Sequence, residues 1–238
     1  GRVIDPATET DRIADVVIVD GTIAAIRAPH EGVHDPTDQV VDVSGALVVP
    51  GLIDLHAHVF PGLGNFCVEA DDAGVRMGVP TVIDGGTSGV ATFELARRAV
   101  IDPPGTRTRV LAFVDPNQLY LATSDFICHK LEIANDLRNL NVDELTGMLE
   151  RNDDVIVGCK VRVCHTGDPE VSPFLDAAQA ATDKPVMVHF GRFPHTPVMT
   201  TPALLRKLRH GDVITHAFRG AGGLIGTDGK AIPEFRDA

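Results

Sequence analysis

From residue 50 onward, apolar residues gather in short Val- and Ile-rich runs, each followed by a stretch with helical spacing. "GLIDLHAHV" precedes "EADDAGVRMG", "TVIDGG" precedes "ATFELARRAV", and "TRVLAFVD" precedes "VDELTGMLER". "DVIVGCKVRV" then leads to "PFLDAAQAAT", "PVMVHFG" leads to "TPALLRKLRH", and "DVITHAFRG" closes the series. Six strands with five helices between them are the signature of parallel βα units. Several strands are almost wholly apolar, as expected where both faces are buried. Phe126 to Asn141 is a longer, mixed insertion ahead of the third helix.

Residues 1–49 have a different rhythm. "RVID", "ADVVIVDGTIAAIRA" and "QVVDVSGALVV" read as short strands broken by turns, and Asp20–Gly21 between alternating apolar residues signals a hairpin. His30 and His34 fall in the polar loop "APHEGVHDPTD" and are expected to face solvent. Two parts are therefore expected: N-terminal strands over 1–49 and a βα series over 50–238.

A βα series closes as a barrel or stays open as a doubly wound sheet. The open form favours a Gly-rich phosphate loop at the first strand–helix turn, and "HVFPGLGNF" matches that poorly. A barrel places its chemistry at the C-terminal ends of several strands. Polar, ligand-type residues do recur there: His56 and His58, Asp84, Asp115 and Asn117, Lys160 and Arg162, His189, and His216. Taken singly, each has a plainer reading, as a satisfied core histidine or a strand-end lysine reaching for water. Their recurrence at one end of successive strands favours a shared site.

Strand alternation puts His56 and His58 on one face, with Asp54 behind them. Two imidazoles so placed form half of a tetrahedral or five-coordinate zinc site, and His189 with His216 could furnish a second. A free Lys160 ammonium would repel both metals. Carbamylation by CO2 reverses that charge and turns the lysine into a bridging, carboxylate-like ligand. Arg162 shares the Lys160 face nearer the mouth, where a guanidinium could clamp a substrate carboxylate. A structural salt bridge from Arg162 to Asp84 or Asp115 fits equally well. Asn117, Arg192, His165 and His195 are strand-end candidates of lesser weight, and His129 and His210 read as surface or helical residues.

The 238 residues are 44% apolar and 23% charged, with a formal net charge of −12 and no clustering of basic residues. Neither a nucleic-acid groove nor an anionic membrane surface fits that balance. No run approaches a membrane span. Cys67, Cys128, Cys159 and Cys164 form no CxxC pair, as expected of reduced thiols in a cytoplasmic protein. By alternation Cys159 turns away from Lys160 into the core.

"VVPGLIDLHAHVF", "GCKVRV", "VMVHFG" and "VITHAFRG", in this order, resemble the amidohydrolase superfamily, and within it the dihydroorotase-like metallo-deacetylases. The opening "VIDP" and the "DGTIAAI" that follows are similar to that family's small N-terminal β-sandwich. The resemblance implies a TIM-like (β/α)8 hydrolase barrel with two Zn2+ per subunit. His56 and His58 would hold one zinc, His189 and His216 the other, and N6-carboxylated Lys160 would bridge them together with a hydroxide. It also implies an aspartate at the end of an eighth strand. Asp228 and Asp237 do not sit in that context, so the barrel is expected to be C-terminally incomplete here, with the chain a piece of a longer protein.

Deacetylation of N-acetyl amino acids or O-acetyl 2-hydroxy acids is the activity that the resemblance implies, and it suits a carboxylate-bearing small-molecule substrate. A cyclic amidase of dihydroorotase or hydantoinase type is the enzymatic alternative. A non-catalytic dihydroorotase-like assembly protein is another. The oligomeric state, monomer or homo-oligomer, stays open.

Overall fold

Short strands and amphipathic helices alternate along most of the chain. The computed structural model describes residues 1–31, 35–120, 136–163, 167–190, 198–217, 224–226 and 228–237. It divides into two compact units, Gly1–Gly51 and Leu52–Ala238.

The first unit holds two small sheets. Strand β1 (Arg2–Asp5) pairs antiparallel with β2 (Thr10–Ile13) and parallel with β5 (Leu47–Val48). β3 (Asp15–Val19) and β4 (Thr22–Arg27) form the hairpin expected at Asp20–Gly21. Both turn residues have positive φ, 49° and 74°, which is the type I′ geometry that Asp-Gly accommodates. The expected strand over "QVVDVSGALVV" shrinks to Leu47–Val48. Residues 39–45 are exposed and pair with no strand among the described residues, so their β propensity finds no partner.

The second unit contains a single parallel sheet of six strands, in the order β11-β10-β9-β8-β7-β6. These are β6 (Ile53–Ala57), β7 (Thr81–Gly89), β8 (Arg109–Asp115), β9 (Ile156–Arg162), β10 (Val186–His189) and β11 (Val213–Thr215). Laid flat, five spacings of ~4.8 Å would hold the outer strands ~24 Å apart. Yet the His56 ring on β6 lies 5.1 Å from the His216 ring just past β11. The sheet is therefore curled into a barrel, and both outer strands deliver side chains to one mouth.

Helices cover the outside. Helix α1 (Ala70–Ala73) and a 3-10 turn at Val75–Met77 follow β6, and α2 (Phe93–Ala96) runs on into a π-helical turn at Arg97–Ile101. α3 (Val142–Arg151), α4 (Pro173–Ala181) and α5 (Thr201–Lys207) follow β8, β9 and β10, and α6 (Pro233–Asp237) comes after β11. α3 shows the local logic. Asn141 caps it by accepting the Glu144 N–H, Asp143 and Glu144 sit in the first turn, and Leu145, Met148 and Leu149 bury one stripe. The helix expected over 69–78 breaks at Gly74. A Cβ there would come within 2.2 Å of Thr108, so the chain tightens where it packs closest to its neighbour.

Two apolar layers result. Phe93, Val114, Leu145, Cys159, Val161, Leu175 and Val188 belong to the large core shared by helices and sheet. Ile83, Phe113 and Met187 form a smaller cluster on the opposite face, inside the curl. Among the described residues no helix is long and apolar enough to cross a membrane.

Candidate metal centre

His56 lies on β6 and His58 just beyond it, with ring centroids 5.5 Å apart. Asp54, behind them, accepts the His56 backbone N–H at 2.9 Å and braces the strand end. His189 ends β10, and His216 follows β11 with φ +58°, a left-handed conformation that swings its ring toward the mouth. The His189 and His216 rings are 4.4 Å apart. The four expected histidines are thus brought together from strands at both edges of the sheet.

Lys160 on β9 reaches the same place. It is 1% exposed, lies 3.0 Å from His56 Nε2 through its Nζ, and donates to the Gly85 carbonyl at 3.0 Å. Burial, then the nearby Arg162, pushes its ammonium down to about 7 against the opposing pull of Asp84 and Asp115. Burial first, then Lys160, likewise lowers His56 and His58 to about 3, and His189 is held down by burial and Arg162. Three neutral imidazoles and a readily deprotonated amine share one pocket of the fold.

Two glycines make that convergence fit. A Cβ on Gly85 would come within 2.1 Å of His56 Cδ2, and one on Gly86 within 2.4 Å of Lys160 Cβ. Gly86 also has φ +84°. The "DGG" within β7 is therefore a wall thinned to backbone, against which His56 and Lys160 lie. Its role was not apparent from sequence, where the glycines read only as the end of a strand.

Asp84, in the same strand, is fully buried. Its carboxylate accepts N–H groups from Val59, Gly86 and Thr87 and the Thr87 hydroxyl. Burial raises it to about 6, against those hydrogen bonds and Lys160. Thr87, also missed from sequence, lies 2.8 Å from His58 Nδ1 through its Oγ1.

Arg162 makes the structural salt bridge that the sequence offered beside the clamp, and of Asp84 and Asp115 its partner is Asp115. Its Nη1 donates to Asp115 Oδ2 at 2.6 Å with both side chains 6% exposed, and its Nη2 meets the Tyr120 hydroxyl. The guanidinium also stacks 4.0 Å from the centre of the Tyr120 ring. Burial raises the Asp115 carboxyl, and Arg162 opposes that rise. Asn117 is buried, and its Oδ1 accepts the Leu119 N–H in the loop after β8.

The remaining candidates lie elsewhere. Cys159 is in the core as alternation required, and burial pushes its thiol up to about 12. His30 and His210 are exposed, and Asp228 is exposed and accepts the Lys230 N–H in a local turn. His34, Cys128, His129, Cys164, His165, Arg192 and His195 fall outside the described residues.

The donor chemistry suits a divalent metal of zinc type: neutral imidazoles, buried and convergent. Among the described residues, though, no group of three His, Cys, Asp or Glu side chains stands ready as a cage. Each histidine pair offers two donors, and Lys160 lies against the first, with its Nζ 3.0 Å from His56 Nε2. A lysine carboxylate would supply the missing oxygen donor to both.

No family model matches the chain. It is 32% identical over 208 residues to a deacetylase of Agrobacterium fabrum, covering 86% of this chain and 48% of that protein. It is 31% identical over 220 residues to a deacetylase of Brucella anthropi, covering 90% of this chain and 52% of that one. The crystal structure of a dihydroorotase superposes with a TM-score of 0.75 at 29% identity, over 93% of this chain and 57% of that one. The chain spans about half the length of the curated relatives it matches. Joined to the curled parallel sheet and its histidine-lined mouth, these similarities show that the chain belongs to the amidohydrolase superfamily.

Proposed function

We propose that this chain carries the metal-holding half of a zinc-dependent hydrolase that removes acetyl groups from N-acetyl amino acids or O-acetyl 2-hydroxy acids. The observation that carries the reading is the meeting of His56, His58, His189 and His216 with Lys160 at one end of the sheet. The first histidine pair would hold one Zn2+ and the second pair the other, with carboxylated Lys160 between them. When bound, zinc supplies Lewis-acid polarisation of the scissile carbonyl and lowers the pKa of water at the site toward about 7.

The chain's own residues do the rest. Burial pushes the Lys160 ammonium down to about 7, which makes the neutral amine, the form able to attack CO2, readily available. The nitrogen lone pair makes the new N–C bond, and the amine proton leaves to solvent. The Gly85 carbonyl and His56 keep the Lys160 nitrogen in place. Arg162, oriented by Asp115 and stacked on Tyr120, supplies a fixed positive charge for a substrate carboxylate, with Asn117 after β8 donating its N–H to the same Asp115. The buried interior cluster of Ile83, Phe113 and Met187 closes the floor of the curl against water.

The deacetylase names of the relatives support acetyl substrates. The likeness to a dihydroorotase structure favours a second reading, a cyclic amidase. A hydrolysis screen of the full-length zinc-loaded protein separates them. N-acetyl-D- and L-amino acids, O-acetyl hydroxy acids, dihydroorotate and hydantoins form the panel. Turnover of the acetylated acids alone supports the first reading, and ring opening alone replaces it with the second. No turnover of any would contradict both.

A further inference from the structure

We propose that Thr87 is a positioning residue that fixes His58 in its Nδ1–H tautomer and so presents Nε2 as the metal donor; this rests on the metal-centre reading above. Thr87 Oγ1 lies 2.7 Å from Asp84 Oδ2 and 2.8 Å from His58 Nδ1. A hydroxyl has one proton to donate. The Asp84 carboxylate takes it, as it takes the N–H groups of Val59, Gly86 and Thr87, all of which can only donate. The hydroxyl lone pairs are then left facing His58, so the ring nitrogen opposite them must carry hydrogen. A neutral imidazole with hydrogen on Nδ1 has its lone pair on Nε2.

The relay is rigid. Thr87 is fully buried, and its own N–H binds Asp84 Oδ1 at 2.6 Å, so side chain and backbone are tied to one carboxylate. Phe66 meets the His58 ring edge-on at a centroid distance of 4.9 Å and restrains its rotation. His56 is held by other means, with Lys160 Nζ at 3.0 Å and the Gly85 backbone against its ring. The two histidines of one HxH are thus set by separate devices. An outer partner of this kind typically changes metal affinity by about 10- to 100-fold.

The test reads the tautomer in the metal-free protein and zinc affinity separately. In a long-range 1H–15N spectrum, with His58 assigned through His58→Gln, we expect a protonated Nδ1 and an unprotonated Nε2. The opposite pattern overturns the proposal. By chelator competition, Thr87→Val should weaken zinc binding about 10- to 100-fold, while Thr87→Ser, which keeps the hydroxyl, should bind as wild type does. Equal affinity in Thr87→Val and wild type overturns the proposal. Should Thr87→Val not fold, the wild-type spectrum and the serine variant still decide it. Wild-type protein with the Nδ1–H tautomer but no zinc binding would refute the metal-centre reading, and with it the donor role, while leaving the hydrogen-bond relay intact.

Discussion

Lys160 is the residue on which the proposed site turns, because it lies 3.0 Å from His56 Nε2 and only a change of its charge would let it serve two metals. Lys160→Ala should therefore reduce bound zinc to one ion per chain or fewer, measured by elemental analysis. An unchanged zinc content would remove the carboxylate bridge. In wild type, zinc uptake by metal-free protein should quicken when bicarbonate is added, and the Lys160→Ala protein should show no such response. Gly85→Ala places a methyl group 2.1 Å from His56 Cδ2, which forces the ring away. That variant should lose zinc affinity at least about tenfold while keeping its helical circular dichroism. His56, His58, Lys160, His189 and His216 were legible in the sequence because imidazole and ammonium in apolar strands demand a partner. Thr87 and Gly85 were not, since a threonine and a glycine at a strand end carry no such cost. Their roles appear only when β6, β7 and β9 are side by side.

At the scale of elements, Arg162 and Asp115 tie β9 to β8 by a pair with both side chains 6% exposed. Arg162→Met leaves the carboxylate buried without its ion partner and should cost about 3–5 kcal/mol in urea unfolding. If Arg162 also receives the substrate, the folded fraction should show a KM raised much more for carboxylate-bearing substrates than for their esters. Asn141→Ala removes the side-chain acceptor for the Glu144 N–H and should cost about 1 kcal/mol without touching zinc binding. The helices over 142–151, 173–181 and 201–207 were readable because each carries apolar residues at helical spacing that the core buries. The break at Gly74 was not, because Thr108, the residue that forces it, is far away in sequence. The strand expected over 39–49 fared similarly: its residues have β propensity, but a strand also needs a neighbour.

At the scale of the whole molecule, the sequence pattern pointed to a parallel βα series, and the curl of the sheet turns that series into a site. An open sheet would leave His56 and His216 at opposite edges, whereas here their rings are 5.1 Å apart. The deacetylases that the chain resembles in sequence are about twice as long as the stretch they share with it, so activity is a property to be assayed in the full-length protein. Metal content addresses the centre itself. After expression in zinc-supplemented medium and removal of loosely held ions, the full-length protein should contain about two zinc ions per chain, as two-metal hydrolase sites do. Simultaneous replacement of His189 and His216 by alanine should lower that to one or fewer. A full-length, folded protein that retains no zinc would contradict the metal-centre account.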